Sequence, residues 1–276
     1  MIARSPLIGA AELCSKLGEV VVVDCRFSLA EPDLGVAHYT TEHIVGAHYC
    51  HLEHDLSAPV AGGAAINRGR HPLPEAATFC GVMAALGIGR DTPVVAYDDS
   101  GLAFASRLWW MLNALGYTQV QVLDGGWSAW QELGLATTAV KPEIRPVTAH
   151  SAVKYAGIVE FPELSDLQAA GARLIDAREP ARYRGELEPI DPVAGHIPGA
   201  VNYPWQEATD ATGRALPIAE QRERWQQLEA SEKLIVYCGS GVTACVNILS
   251  LVLAGRDDAL LYPGSWSDWC ARLPNG

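Results

Sequence analysis

The chain repeats itself at a period of about half its length, and a sequence that repeats folds as repeated units. Three landmarks recur in the same order. An apolar run ending in Asp appears as Val20-Val21-Val22-Val23-Asp24-Cys25-Arg26 and again as Leu174-Ile175-Asp176-Ala177-Arg178. His43-Ile44-Val45-Gly46-Ala47 is matched by His196-Ile197-Pro198-Gly199-Ala200. Pro93-Val94-Val95-Ala96-Tyr97-Asp98, a helical run and Gly126-Trp127-Ser128-Ala129-Trp130 are matched by Leu234-Ile235-Val236-Tyr237-Cys238, another helical run and Ser265-Trp266-Ser267-Asp268-Trp269.

Within each copy, short β-branched runs alternate with segments of helical period such as Ala103 to Leu115 and Ala244 to Ala254. That alternation is the pattern of parallel strands joined by helical crossovers, so each half is expected to be a small α/β domain with helices on both faces. Leu133 to Ser151 contains Pro142 and Pro146 and no long apolar run, as a connecting segment should. The expected organisation is residues 1–132, a linker over 133–151, and residues 152–276.

A formal net charge of −12 disfavours nucleic acid as a partner, because a phosphate backbone demands a basic footprint. No stretch approaches the roughly 18 apolar residues of a membrane helix, and Met1 to Gly9 lacks the regions of a signal peptide, so the cytoplasm is the expected location. The seven cysteines are odd in number and never spaced Cys-x-x-Cys, which fits neither a disulfide framework nor a zinc knuckle. Most are expected to be reduced and buried.

Chemistry concentrates in Leu234-Ile235-Val236-Tyr237-Cys238-Gly239-Ser240-Gly241-Val242-Thr243-Ala244-Cys245, which reads as strand, tight loop and helix. Gly239 and Gly241 let the backbone after Cys238 fold tightly enough for successive N–H groups to point at one spot, and the following helix adds its positive end. Such a cradle welcomes an anion, and a cysteine at its base is placed to react as thiolate. The hydroxyls of Ser240 and Thr243 are expected to add hydrogen bonds. In the first half the corresponding loop, Tyr97-Asp98-Asp99-Ser100-Gly101-Leu102-Ala103, has Asp98 where the cysteine would stand, so that half reads as an inactive copy.

The Cys238 loop, the two His-Ile-x-Gly-Ala motifs and the paired Trp-x-x-Trp ends resemble the two-domain rhodanese and 3-mercaptopyruvate sulfurtransferase family over essentially the whole chain. The resemblance implies two tandem rhodanese-like domains, each with a parallel five-stranded sheet. It also implies a C-terminal catalytic cysteine that takes sulfur from a small anionic donor as a persulfide and passes it to a thiol or cyanide, with thioredoxin among the candidate acceptors. No metal or organic cofactor is implied.

A guanidinium is needed against the donor's charge, and Arg182 in Arg182-Tyr183-Arg184-Gly185 matches the family's substrate-binding arginine. Arg184 is a second candidate, whereas Arg178 reads as a surface charge. His43 is a candidate to assist Ser240 in proton transfer. Gly239-Ser240 looks like the mercaptopyruvate subfamily, but Asp191 stands where mercaptopyruvate enzymes often place a second arginine, which keeps thiosulfate open as the donor.

Three rival readings follow from the same residues. A cysteine-loop phosphatase needs an Arg six residues after the nucleophile, and Ala244 stands there. A sulfur-carrier or regulatory rhodanese module would keep the loop without turnover. Metal binding by His38, His43, His48, His51 and His54 is disfavoured against ordinary surface and core roles.

Overall fold

The computed structural model of the chain describes residues 5–60, 68–152 and 154–273. They form two compact units, each built around its own parallel sheet.

The first unit takes in residues 1–58, 74–156 and 209–215. Its strands are β1 (Leu7–Ile8), β2 (Val21–Asp24), β3 (His43–Ile44), β4 (His48–Tyr49), β5 (Val94–Tyr97), β6 (Val120–Leu123) and β7 (Thr137–Thr138). Its helices are α1 (Ala10–Ser15), α2 (Leu34–Thr41), α3 (Ala76–Ala85), α4 (Ala105–Ala114) and α5 (Gly126–Glu132). Five strands pair in parallel in the order β1-β6-β5-β2-β4, with Val22 opposite Val95 and Val95 opposite Gln121.

Both faces of this sheet are covered, as β-branched strands without alternating polarity require. Ile8, Val22, Val95, Tyr97 and Leu123 pack with Leu13 of α1 and with Trp127, Ala129 and Trp130 of α5. Val94 and Ala96, of opposite parity, are also buried, and α4 packs against β5 and β6. The segment 133–151, read from the sequence as a linker, is bound into this unit. Strand β7 pairs antiparallel with β3, Val147 N–H donates to the Ala84 carbonyl (3.0 Å), and His150 Nε2 meets the Leu115 carbonyl oxygen (2.9 Å). Low hydrophobic periodicity marks a stretch held by backbone hydrogen bonds as readily as one held by nothing.

The second unit takes in residues 59–73, 157–208 and 216–276. It contains β8 (Arg173–Asp176), β9 (Val201–Asn202), β10 (Leu234–Tyr237) and β11 (Leu260–Leu261), with α6 (Phe161–Ala169), α7 (Pro180–Tyr183), α8 (Ile218–Trp225), α9 (Ala244–Ala254) and α10 (Ser265–Ala271). Four strands pair in parallel in the order β11-β10-β8-β9. The fifth position, occupied by β1 in the first unit, is reduced here to a single parallel bridge between Ile158 and Leu261. Ile235 and Tyr237 pack with Leu164, Trp266 and Cys270, while the wholly buried run Ala244–Leu251 of α9 lies against β10 and β11.

The repeat extends to side-chain detail. Arg26 is buried against Asp24 (2.7 Å) with its guanidinium 4.4 Å from the Trp127 ring centre, and Arg178 is buried against Asp176 (2.6 Å) and 4.7 Å from Trp266. These pairs lock strand β2 to the start of α5 and strand β8 to the start of α10.

Candidate active site

Strand β10 is apolar to its end, and the chain turns sharply at Cys238, whose residue is only 2% exposed. The turn is pinned from its carbonyl side. Trp266 N–H donates to the Cys238 carbonyl (3.0 Å), Ser267 N–H to the Gly239 carbonyl (2.9 Å), and Cys238 N–H to Ser265 Oγ (3.1 Å). Gly241 has φ +76°, and a Cβ there would run into the Pro263 carbonyl oxygen, so only glycine fits. Thr243 then caps α9 by position, although its hydroxyl makes no capping bond, and Val242 is buried. The amino end of an eleven-residue helix therefore abuts the cysteine loop.

The corresponding loop of the first unit shows what this geometry binds. Asp98 replaces the cysteine, and its carboxylate accepts N–H bonds from Ser100 (2.9 Å), Leu102 (3.1 Å), Phe104 (2.9 Å) and Ala105 (2.8 Å). The same outer pin is present, since Trp127 N–H donates to the Asp98 carbonyl (2.8 Å). Burial pushes the Asp98 carboxyl up to about 6, opposed by these backbone N–H bonds. In the first unit the cradle is thus filled by its own side chain. In the second the loop carries a sulfur atom at that position.

Two residues that sequence reasoning did not select complete the site. His71 is buried, and its Nδ1 lies 2.8 Å from Ser240 Oγ. Arg70 forms an ion pair through Nη1 with Asp191 Oδ1. Both come from the arm 59–73, which belongs to the second unit. Gly69 (φ +80°) approaches Gly264 so closely that a Cβ would strike its carbonyl oxygen, and Arg70 N–H donates to Ser267 Oγ (3.1 Å). A signal for the arm is present in the sequence: Gly69-Arg70-His71-Pro72-Leu73-Pro74 is echoed by Gly213-Arg214-Ala215-Leu216-Pro217. The echo is used reciprocally, since 209–215 belongs to the first unit, where Arg214 pairs with Glu132 (2.5 Å).

Arg182 faces the loop, its guanidinium nitrogens Nη1 and Nη2 each 3.6 Å from where a Gly239 Cβ would stand; Arg70 Nη2 is 3.0 Å from the same point. Arg182 is held by Glu188 (2.7 Å) and Asp191 (3.2 Å). Burial works against both carboxylates. At Glu188 the bonds from Arg182 and from the N–H groups of Asp191 and Ile190 prevail and hold the carboxyl below its ordinary range. At Asp191 burial prevails over the three neighbouring arginines and raises it.

Other residues singled out in the sequence lie elsewhere. His43 is fully buried in the first unit. Its Nδ1 meets the Tyr39 carbonyl oxygen (2.6 Å), its Nε2 the Val140 carbonyl oxygen (3.2 Å), and its ring stacks on Tyr39. His196 repeats this arrangement with Tyr183 (2.7 Å), which identifies the duplicated His-Ile-x-Gly-Ala motif as a structural lock. The hydrogen bond to Ser240 expected of His43 is made instead by His71. Arg184 is exposed and paired with Glu186 (2.7 Å). It sits two residues beyond Arg182 at the end of a helical turn, a rotation of about 200° that carries it off the loop. Arg178, expected at the surface, is buried in the Asp176 pair. All seven cysteines are free, and Cys245, placed for packing, donates its Sγ–H to the Gly241 carbonyl (3.5 Å). Among the described residues, no three His, Cys, Asp or Glu side chains are grouped to hold a metal, and no helix is long and apolar enough to cross a membrane.

Comparison with known proteins agrees with this geometry. The rhodanese-like domain family matches twice, over residues 10–133 and 160–272. A Pseudomonas aeruginosa protein provisionally named a 3-mercaptopyruvate sulfurtransferase is 42% identical over 97% of this chain and 96% of its own. A Mycobacterium tuberculosis protein, 41% identical over 95% of this chain and 93% of its own, is provisionally named a thiosulfate sulfurtransferase. Among solved structures, the 3-mercaptopyruvate sulfurtransferase of Leishmania major superimposes with a TM-score of 0.86 at 32% identity, over 98% of this chain and 75% of that one. With a duplicated fold, a cysteine loop and full-length relatives in agreement, this chain belongs to the two-domain rhodanese family of sulfurtransferases.

Proposed function

We propose that the protein transfers sulfur from 3-mercaptopyruvate through a persulfide on Cys238. The Cys238 thiolate attacks the donor's thiol sulfur, an S–S bond forms, and the donor's C–S bond breaks. The electron pair of that bond passes into the keto acid as an enolate, which takes up a proton to become pyruvate. A second nucleophile, a thiol or cyanide, then attacks the outer sulfur and returns Cys238 as thiolate. Such a two-step covalent transfer gives ping-pong kinetics.

The observation that carries this choice of donor is the 2.8 Å pair of His71 Nδ1 and Ser240 Oγ, two residues along the loop from Cys238. An enolate leaving group needs a proton at the moment the C–S bond breaks, and a hydroxyl backed by imidazole can supply it. Thiosulfate departs as sulfite and needs none. Arg182 and Arg70 at Gly239 suit the donor's carboxylate, and the cradle suits the charge on sulfur. Gly239, Gly241 and Val242 contribute backbone, and Thr243 contributes its position at the head of α9. The free cysteines and the persulfide chemistry fit a reducing compartment such as the cytoplasm, and a thioredoxin-like dithiol fits the acceptor role.

The test is steady-state turnover with 3-mercaptopyruvate and thiosulfate in parallel, for the wild type and Cys238→Ser, with intact-mass analysis after donor alone. The expected result is kcat/KM favouring 3-mercaptopyruvate, one added sulfur atom on the wild type and none on the variant. A preference for thiosulfate would reassign the donor. Persulfide loading without turnover would make the protein a sulfur carrier.

A further inference from the structure

We propose that Arg70 is a donor-binding residue that supplies the second guanidinium of the site, and that Asp191 is the positioning residue that holds it there. The inference deepens the reading of the protein as a 3-mercaptopyruvate sulfurtransferase and rests on it.

An acidic side chain beside an anion-binding loop is a physical problem. Asp191 is buried, with its side chain 3% exposed, and it lies within 3.2 Å of Arg182, the guanidinium expected to grip the donor. Left alone, it would repel the donor's carboxylate and compete for that arginine. Its two oxygens instead bridge two guanidiniums: Oδ1 takes Arg70 Nη1 and Oδ2 takes Arg182 Nη2. The consequence is visible over the loop. Arg70 Nη2 and Arg182 Nη1 converge on Gly239, 3.0 and 3.6 Å from the point where a Cβ would stand. That residue follows the nucleophile directly, so two donors from separate guanidiniums face the space beside Cys238. A planar carboxylate accepts such a pair well.

Three consecutive residues of the arm, 69–71, are each held against the second unit. Gly69 is pressed on Gly264, Arg70 N–H is tied to Ser267 Oγ, and the next residue, His71, meets Ser240. Arg70 itself keeps 31% of its side chain exposed, while Arg182 keeps 11% and has its Nε and Nη2 taken by Glu188 and Asp191. Arg70 is therefore the more solvent-accessible of the two clamps. The acid at 191 is the anchor that lets an arginine from a distant part of the sequence serve the loop.

The experiment measures KM and kcat for 3-mercaptopyruvate in Arg70→Ala, Arg70→Lys, Asp191→Asn, the Arg70→Ala/Asp191→Asn pair and the Arg70→Ala/Asp191→Arg swap. Losing one of two charge-assisted contacts to a carboxylate should raise KM about tenfold or more in Arg70→Ala with kcat little changed, and Arg70→Lys should recover part of it. Asp191→Asn should raise KM less, and the double variant should be no worse than Arg70→Ala, because the acid acts through the arginine. The swap, which puts a guanidinium at 191 directly, should lower KM again. A KM within about twofold of wild type in Arg70→Ala would overturn the donor-binding role, and additive effects in the pair would overturn the positioning role. Equilibrium binding of 3-mercaptopyruvate to Cys238→Ala, with and without Arg70→Ala, reads the arginine apart from turnover. A wild type that binds this donor through Arg70 but does not turn it over would sink the proposed reaction and leave the clamp standing.

Discussion

His71 Nδ1 and Ser240 Oγ lie 2.8 Å apart although 169 residues separate them in the chain. The pair is brought together by the arm 59–73, which belongs to the unit that carries Cys238. Its place two residues along the loop from Cys238 is the basis for the proton transfer proposed above.

If the pair delivers the proton to the departing enolate, His71→Ala and Ser240→Ala should each lower kcat with 3-mercaptopyruvate by about 10²-fold, the lower end of general acid catalysis. The double variant should fall no further than the worse single one, because two members of one relay act as a unit. Turnover of thiosulfate should drop much less. Measuring both donors on the same preparations separates a lost proton donor from a damaged loop, which would depress both alike.

Gly241→Ala should destabilise the second unit by about 2–4 kcal/mol, since φ +76° is costly for any residue with a Cβ and the added carbon meets the Pro263 carbonyl oxygen. Gly213→Ala, also at positive φ but with its nearest neighbour 3.7 Å away, should show the backbone cost alone. Thermal unfolding of the two variants beside the wild type checks the difference.

Asp98→Asn should weaken the first unit by about 1–3 kcal/mol, because an amide offers one acceptor oxygen where the carboxylate now receives four N–H groups, three of them buried. The pH dependence has a definite sign. Burial lifts Asp98 from 3.8 to about 6, so the native state holds this proton more tightly than the unfolded chain does. Its contribution to stability is fully present below about pH 4 and is lost as pH rises through about 6, by about 3 kcal/mol. Chemical unfolding at about pH 4.5 and about pH 7 should show about 2 kcal/mol of that loss in the wild type and none of it in Asp98→Asn. Equal slopes in both proteins would assign the titration to another group.

Much of this site is local and was legible as such. The apolar run Leu234 to Tyr237, the Cys-Gly-Ser-Gly turn and the helical period of Ala244 to Ala254 are consecutive, so propensity and periodicity alone place Cys238 between a strand end and a helix start. The duplication made the fold legible too, because two copies of one pattern with matching Asp, His and Trp landmarks constrain each other. The single bridge of Ile158 to Leu261, where the first unit has strand β1, was not legible, since strand length at a sheet edge follows tertiary pairing and not composition.

The sequence by itself determined the duplicated α/β scaffold, the Cys238 loop between a strand end and a helix start, and the matching loop with Asp98 in the cysteine's place, all of which depend on residues adjacent in the chain. Only the tertiary structure decided which histidine and which arginine lie at the loop. Sequence reasoning selects His43 and passes over His71, but a ring nitrogen takes its role from the atom it meets, and the fold spends His43 on the carbonyls of Tyr39 and Val140. Arg184 and Arg70 differ in the same way: one is turned outward by helical rotation, and the other is carried in by an arm and anchored on Asp191. Charge and hydrogen bonding act over a few ångströms of space, and only the folded path of the chain fixes which residues come that close.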